Sequence, residues 1–177
     1  FFFVLAIVAL VFLPSWTLRY WQGWAYVRVF TAAMASITVW LWNTDRALLE
    51  RRLQAGATAE REATQRVIQS IAQVAFVLLL LIPPLDHRFG WSTVPPVASI
   101  VGLALVAAGF YVVFLTFRAN TYTAGTVQVT ESQQVVSTGP YAWVRHPMYA
   151  GTMLLLFGTP PALGSWWGEA AAAALDR

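Results

Sequence analysis

The side chains with the clearest chemical potential lie in one short stretch, residues 139–151, with the sequence GPYAWVRHPMYAG. A polar loop meets an apolar segment here, and ionisable side chains are costly beside a bilayer. We therefore expect that a bound ligand explains why Arg145 and His146 lie at this boundary. We call residues 139–151 the Arg-His motif.

The rest of the chain is strongly apolar. Of its 177 residues, 58% are hydrophobic and 11% are charged, and the mean hydropathy is +0.60, whereas soluble domains are about 25% charged. We predict an all-α protein, a single polytopic transmembrane helical bundle over residues 1–177. The chain has no cysteine, which excludes disulfides, thiolate metal sites and a cysteine nucleophile. We expect no metal site and no nucleic-acid partner.

Five apolar stretches are predicted to form the membrane-spanning helices that position the motif. We place membrane spans at about residues 1–14, 24–42, 67–85, 94–117 and 148–167, each near the length that crosses a bilayer. The third span is expected to stop at Pro83-Pro84, before a turn over residues 86–92. Both ends of the chain look cut, since it opens inside an apolar run without Met and closes soon after an alanine-rich pattern begins.

Arginine residues predict the orientation of these spans. The connections at about residues 43–66 and 118–147 contain seven Arg, against two in the other two connections. Because cytoplasmic loops are enriched in Arg and Lys, both connections and the motif are placed on the cytoplasmic side. In the first connection, Leu48, Leu49 and Leu53 have the spacing of a short amphipathic helix that ends at Gly56.

Two segments leave alternatives open. The breakers at residues 158–161 (GTPP) and 164–165 (GS) allow either one kinked span or a helix-turn-helix whose second limb begins near Trp166. We favour the second. In residues 120–136, the alternation of side chains fits a short strand, and a re-entrant or pocket-covering loop fits equally well.

Three stretches resemble one family of membrane enzymes. Residues 139–141 (GPY) followed by residues 145–151 (RHPMYAG) resemble the signature of the integral membrane methyltransferases, which include isoprenylcysteine carboxyl methyltransferases and phospholipid methyltransferases. Residues 43–53 (NTDRALLERRL) and 120–139 (NTYTAGTVQVTESQQVVSTG) are similar to bacterial members, which implies that the protein lies in a bacterial inner membrane. The resemblance implies an S-adenosylmethionine pocket, to which the motif contributes. In the family, a downstream segment with paired glutamates completes that pocket, and this chain ends before such a segment.

The resemblance assigns roles within the motif. It implies that Arg145 and His146 serve catalysis and that eight residues bind the cofactor: Gly139, Pro140, Tyr141, Arg145, His146, Pro147, Tyr149 and Gly151. The side-chain chemistry agrees, because a guanidinium binds a carboxylate through paired hydrogen bonds. Tyr141, Trp143 or Tyr149 can stack on an adenine or face a sulfonium, a cation-π contact worth about 0.5–2 kcal/mol.

Backbone chemistry predicts how the motif is held. Pro147 restricts the residue before it, so Arg145 and His146 are expected in a turn just ahead of a helix that starts near Met148. Gly151 would let a ligand or a neighbouring helix approach closely.

Structural explanations compete with these roles. Arg145 could bind lipid phosphate on the cytoplasmic face, and the motif's aromatic residues could belong to an interfacial belt. We expect Arg28 to extend its head group back to the membrane surface, His87 to be structural, and Glu131 to be an exposed loop carboxylate.

The predicted reaction is in-line methyl transfer from S-adenosylmethionine to a lipophilic or lipid acceptor. A carboxylate acceptor is ionised at neutral pH and needs no base, whereas an amine acceptor must first lose a proton. His146 is therefore either a binding residue or a general base, and the sequence does not choose. Two other classes stay open, namely a nicotinamide-dependent membrane reductase of the sterol type and a non-enzymatic membrane scaffold.

Overall fold

The computed structural model describes residues 2–53, 63–120 and 138–168. These residues form six α-helices and one short 3-10 helix, and they contain no strand, so the predicted all-α class is confirmed for them. The α-helices are α1 (Phe2–Ser15), α2 (Trp21–Thr44), α3 (Arg46–Leu53), α4 (Ala63–Phe89), α5 (Pro96–Ala119) and α6 (Pro147–Ala162), and the 3-10 helix is Gly139–Ala142.

Within the described ranges, three helices are long and apolar enough to cross a membrane. They are Trp21–Thr44, the part Arg66–Phe89 of α4, and Pro96–Ala119, each of 24 residues. The other two predicted spans correspond to α1 and α6, which are shorter at 14 and 16 residues.

The third span does not stop at Pro83-Pro84, contrary to the prediction. Helix α4 continues through both prolines to Phe89. A proline removes one helical hydrogen bond, but its own φ suits a helix, and apolar surroundings favour helix because it satisfies the remaining backbone groups internally. The helix ends only where the amides of Gly90 and Trp91 both donate to the carbonyl oxygen of Asp86.

The predicted amphipathic helix after α2 is present as α3. The carboxylate of Asp45 accepts a hydrogen bond from the amide of Leu48 at 2.9 Å, which caps the helix start. Leu48 and Leu49 are buried, but Leu53 is 75% exposed and does not share their apolar face. Gly56, the predicted end of this helix, lies outside the described residues.

Glycines allow α5 and α6 to lie against each other as an antiparallel pair. A Cβ atom at Gly102 would lie 2.8 Å from the carbonyl oxygen of Gly158, and one at Gly109 would lie 2.8 Å from that of Gly151. Both glycine pairs are seven residues apart along each helix. Missing side chains at these positions let the two backbones touch, as in other membrane helix pairs.

Ring contacts and hydrogen bonds fix the direction of the other helices. The Phe30 ring meets Phe110 at 4.9 Å and the Trp40 ring meets Phe114 at 5.0 Å, so α2 runs parallel to α5. The Ser165 hydroxyl donates to the Asp86 carboxylate at 2.5 Å, which joins the ends of α4 and α6. We call the end of the bundle that holds the Arg-His motif the motif end, and the opposite end the far end.

A buried polar cluster closes the far end. Asp86 is fully buried, and its carboxylate accepts hydrogen bonds from the Ser92 amide and from the hydroxyls of Ser92 and Ser165. The Tyr20 hydroxyl donates to the carbonyl oxygen of Leu163, and the His87 ring stacks on Tyr20 at 4.2 Å. His87 lies against this cluster through its ring contact with Tyr20, a position that fits the structural role expected for it.

The segment after α6 bears on the predicted helix-turn-helix. Helix α6 includes Pro160 and Pro161 and ends at Ala162. The chain then turns at Gly164, whose φ of 73° lies in the left-handed region that favours glycine. The second limb falls almost entirely outside the described residues, so its course stays a prediction.

Candidate functional site

The first half of the Arg-His motif is fixed against the end of α5. Gly139 has a φ of 62°, and a Cβ atom there would lie 3.3 Å from that of Ala119. Gly139 is the first residue of the 3-10 helix Gly139–Ala142. The side-chain amide of Asn120 donates a hydrogen bond to the Tyr141 hydroxyl at 3.3 Å, so the residue after α5 also holds the motif in place.

The second half is a turn that leads into α6, as the sequence predicts. His146 has φ −130° and ψ 69°, which is not helical, and it is the residue that precedes the helix. Its carbonyl oxygen accepts hydrogen bonds from the amides of Tyr149 and Ala150 at 3.1 and 3.2 Å. The helix begins at Pro147, one residue before the predicted start.

Four side chains of the motif face outward together. Trp143 is 90% exposed, Tyr149 is 67% exposed, and Arg145 and His146 are exposed as well. The His146 ring lies 5.6 Å from the Tyr149 ring. Among the described residues, no acidic side chain lies within 4.0 Å of the Arg145 guanidinium. Within the described part of the protein, this cationic group is therefore available to an acidic ligand.

The remaining predicted site residues serve packing in this structure. Pro147 and Gly151 are buried, and a Cβ atom at Gly151 would lie 3.0 Å from the carbonyl oxygen of Gly109. The neighbour that Gly151 admits is thus helix α5. Pro140 and Tyr141 are half-buried. A ligand role for these residues remains a prediction.

A second cationic side chain near the motif end was not singled out from the sequence. The Arg52 guanidinium lies over the Phe117 ring at 4.7 Å, which brings α3 to the end of α5. Burial lowers the pKa of Arg52 from its usual value, although arginine remains charged in proteins. The signal that could have identified it is its place within residues 43–53, one of the stretches that carry the family resemblance.

An apolar cleft of about 500 Å³ extends from the motif end between α4 and α6. Its α6 wall consists of Thr152, Leu155, Leu156 and Thr159. Thr152 is only three residues beyond Tyr149, about 4.5 Å along a helix axis. The cleft and the exposed face of the motif are therefore neighbours, and sequence patterns alone did not predict the cleft.

Two other predicted features fall outside the described residues. They are Glu131 and the strand or loop predicted at residues 120–136, of which only Asn120 is described. The described residues contain no group of three or more His, Asp or Glu side chains that could hold a metal ion.

Comparison with known proteins supports the resemblance drawn from the motif. The phospholipid methyltransferase family matches residues 97–175, a range that contains α5 from its second residue onward, the Arg-His motif and α6. No curated protein and no solved structure matches the chain. Residues 97–175 are therefore similar to the phospholipid methyltransferase family, and the long apolar helices, by their length and composition, indicate an integral membrane protein.

Proposed function

We propose that this protein transfers a methyl group from S-adenosylmethionine to a lipophilic acceptor at the cytoplasmic face of the membrane. The observation that carries the proposal is the position of the exposed Arg145, His146 and Tyr149 beside the opening of an apolar cleft. A polar cofactor and an apolar acceptor can then meet at the bilayer surface. The family match supports the methyl-transfer chemistry.

The side chains of the motif fit the functional groups of S-adenosylmethionine. Arg145 would hold the carboxylate, because an exposed guanidinium without an acidic partner among the described residues can form a bidentate pair. Tyr149 and Trp143 would offer ring faces to the adenine or the sulfonium. His146 would contact the cofactor or the acceptor from the start of α6. When bound, the cofactor supplies a methyl group activated by a positively charged sulfur.

The protein's contribution to the rate is positioning and the exclusion of water. The motif is held by Asn120 on one side and by the α5–α6 glycine contacts on the other, so its exposed side chains project from a rigid base. The cleft would hold the apolar part of the acceptor and leave its polar end near His146. An acceptor that lies in the cleft would approach the methyl group from the membrane side.

The acceptor's chemistry determines the role of His146. With a carboxylate acceptor, His146 would only bind, because the nucleophile is already ionised. With an amine acceptor, His146 would take the proton that the amine must lose. We propose the binding role, because His146 adjoins Arg145, whose guanidinium would hold the carboxylate of the cofactor, and this position does not by itself place a base against the acceptor.

The test is calorimetric binding of S-adenosylmethionine to the intact protein and to Arg145→Ala. We expect the variant to lose about 1.5–3 kcal/mol of binding free energy, the usual contribution of a hydrogen bond to a charged group. Arg28→Ala is the matched control, because Arg28 is also exposed but lies seven residues into α2, whose start is at the far end. Equal affinities of Arg145→Ala and wild type would remove Arg145 from the site.

A further inference from the structure

The cleft between α4 and α6 has two walls of matched helical periodicity. The α4 wall is formed by residues three or four apart on one face: Ile68, Ile71, Ala72, Ala75, Phe76 and Leu79. The α6 wall repeats this spacing from Thr152 to Thr159. Because α4 and α6 run in the same direction, the two walls face each other along their length. The cleft is therefore elongated along the helix axes, a shape that suits a hydrocarbon chain.

The two ends of the cleft differ in structure. At the motif end, Thr152 is exposed and lies close to His146 in the chain. Toward the far end, the lining residues are Tyr26, Leu79 and Thr159, all of which are buried. Beyond them, Pro83, Pro84, Pro160 and Pro161 are also buried. A chain that entered from the motif end would thus meet a packed barrier.

A hydrogen-bonded pair keeps that barrier in one conformation. Thr159 donates its hydroxyl hydrogen to the carbonyl oxygen of Leu155 at 2.7 Å, so the Tyr26 hydroxyl is the donor in its 3.3 Å contact with Thr159. Tyr26 is 1% exposed, and its ring packs on Phe30 at 5.7 Å. A buried, satisfied polar pair of this kind fixes side-chain position within an apolar environment.

We propose that Tyr26 and Thr159 form the floor of an acceptor-chain site and set the longest hydrocarbon chain that the protein accommodates. This inference rests on the proposed function, to which it adds a limit on the length of the lipid acceptor. The reach of the site is the sum of two distances along α6. These are about 10 Å from Thr152 to Thr159 and about 9 Å from His146 to Thr152. Acceptors whose chain exceeds this reach must buckle or displace the floor.

The experiment measures chain binding without any methyl transfer. A homologous series of n-alkyl carboxylates of increasing length, each with a diazirine at its terminal carbon, is photocrosslinked to the intact protein in lipid nanodiscs without S-adenosylmethionine. Mass spectrometry then identifies the labelled residues. We expect labelling to move along the cleft with chain length and to reach Tyr26, Leu79 or Thr159 at one limiting length. For longer chains it should fall by about fivefold to 150-fold, because overpacking costs about 1–3 kcal/mol.

Two variants shift the limit in opposite directions. Tyr26→Leu removes the phenol ring from the floor and should raise the limiting length. Ala72→Phe adds a ring to an exposed position of the α4 wall, where folding is little affected, and should lower the limit. Tyr111→Leu is the matched control, since Tyr111 is an exposed tyrosine of α5 that does not line this cleft. It should leave the limit unchanged.

The outcomes separate this inference from the proposed function. If both Tyr26→Leu and Ala72→Phe shift the limiting chain length, the result supports the proposal that Tyr26 and Thr159 form the floor. This holds whether or not the protein binds S-adenosylmethionine. Labelling without a limiting length, labelling outside the cleft, or a limit that neither variant moves would overturn it. Loss of cofactor binding with the length limit intact would instead count against the proposed function alone.

Discussion

The variant Gly102→Ala is expected to destabilise the bundle, although alanine is the better helix former. A Cβ atom at residue 102 would lie 2.4 Å from the backbone nitrogen of Ala162 and 2.8 Å from the carbonyl oxygen of Gly158. Both are backbone atoms, so α5 and α6 must move apart. Overpacking of this severity costs about 3 kcal/mol, whereas replacing a helical glycine by alanine returns about 1 kcal/mol. The net loss is about 2 kcal/mol.

Thermal unfolding of the purified protein in detergent measures this loss. A change of 2 kcal/mol should lower the Tm by about 4–8 °C for a chain of this length. Gly151→Ala provides an internal comparison, because its nearest atoms lie at 3.0 Å rather than 2.4 Å. Its packing cost is close to the gain in helix propensity, so its Tm should change by less than about 3 °C.

The control for added volume alone is Ala104→Val, at an exposed position on the same helix. A surface substitution of this kind changes stability by less than about 0.5 kcal/mol. If Gly102→Ala unfolded at or above the temperature of the wild type while Ala104→Val behaved as expected, the close antiparallel contact of α5 and α6 would be refuted.

Three further predictions concern chemistry, pH and topology. His146→Gln should weaken binding but leave turnover within about tenfold if the acceptor is a carboxylate, and a loss of about 100-fold with unchanged cofactor affinity would instead make His146 a general base. Burial raises the pKa of Tyr20 above its ordinary value of 10.0, so the neutral phenol's contribution to stability is complete below pH 10 and is lost as the pH rises further. Tyr20→Phe should therefore lower the Tm at pH 7, through the lost bond to Leu163, and flatten the alkaline decline of the Tm. Thr58→Cys should resist an impermeant thiol reagent applied to intact cells, and its labelling would reverse the predicted orientation.

The family resemblance could be drawn from the motif because a short signature encodes local chemistry. Residues 139–151 combine Arg, His, aromatic side chains and Pro147 at fixed spacing. Proline restricts its own backbone and that of its neighbour, so the turn ahead of α6 followed from adjacent residues alone. The structure confirms that turn, and the family match confirms the resemblance.

The approximate helix positions could also be predicted, because each depends on a local property. Long apolar stretches must form helices in a bilayer, where backbone groups have no water to bind. The predicted end of α4 was wrong because it relied on a local signal alone. Proline is a strong stop signal in a sequence, but Asp86 is held by side chains from Ser92 and Ser165, and that anchoring belongs to the folded bundle.

Only the tertiary structure showed which of the predicted site residues are exposed and which are packed between helices. Sequence reasoning treated Gly151 and Arg145 alike, yet Gly151 lies against Gly109 of α5 and Arg145 is exposed. The Arg52 contact with Phe117 and the cleft between α4 and α6 join residues that are far apart in the chain. The sequence determined the chemistry of the motif and the apolar helices, because both arise from neighbouring residues. The packing of those helices decided what lies beside the motif, because distances between helices depend on all the side chains that separate them.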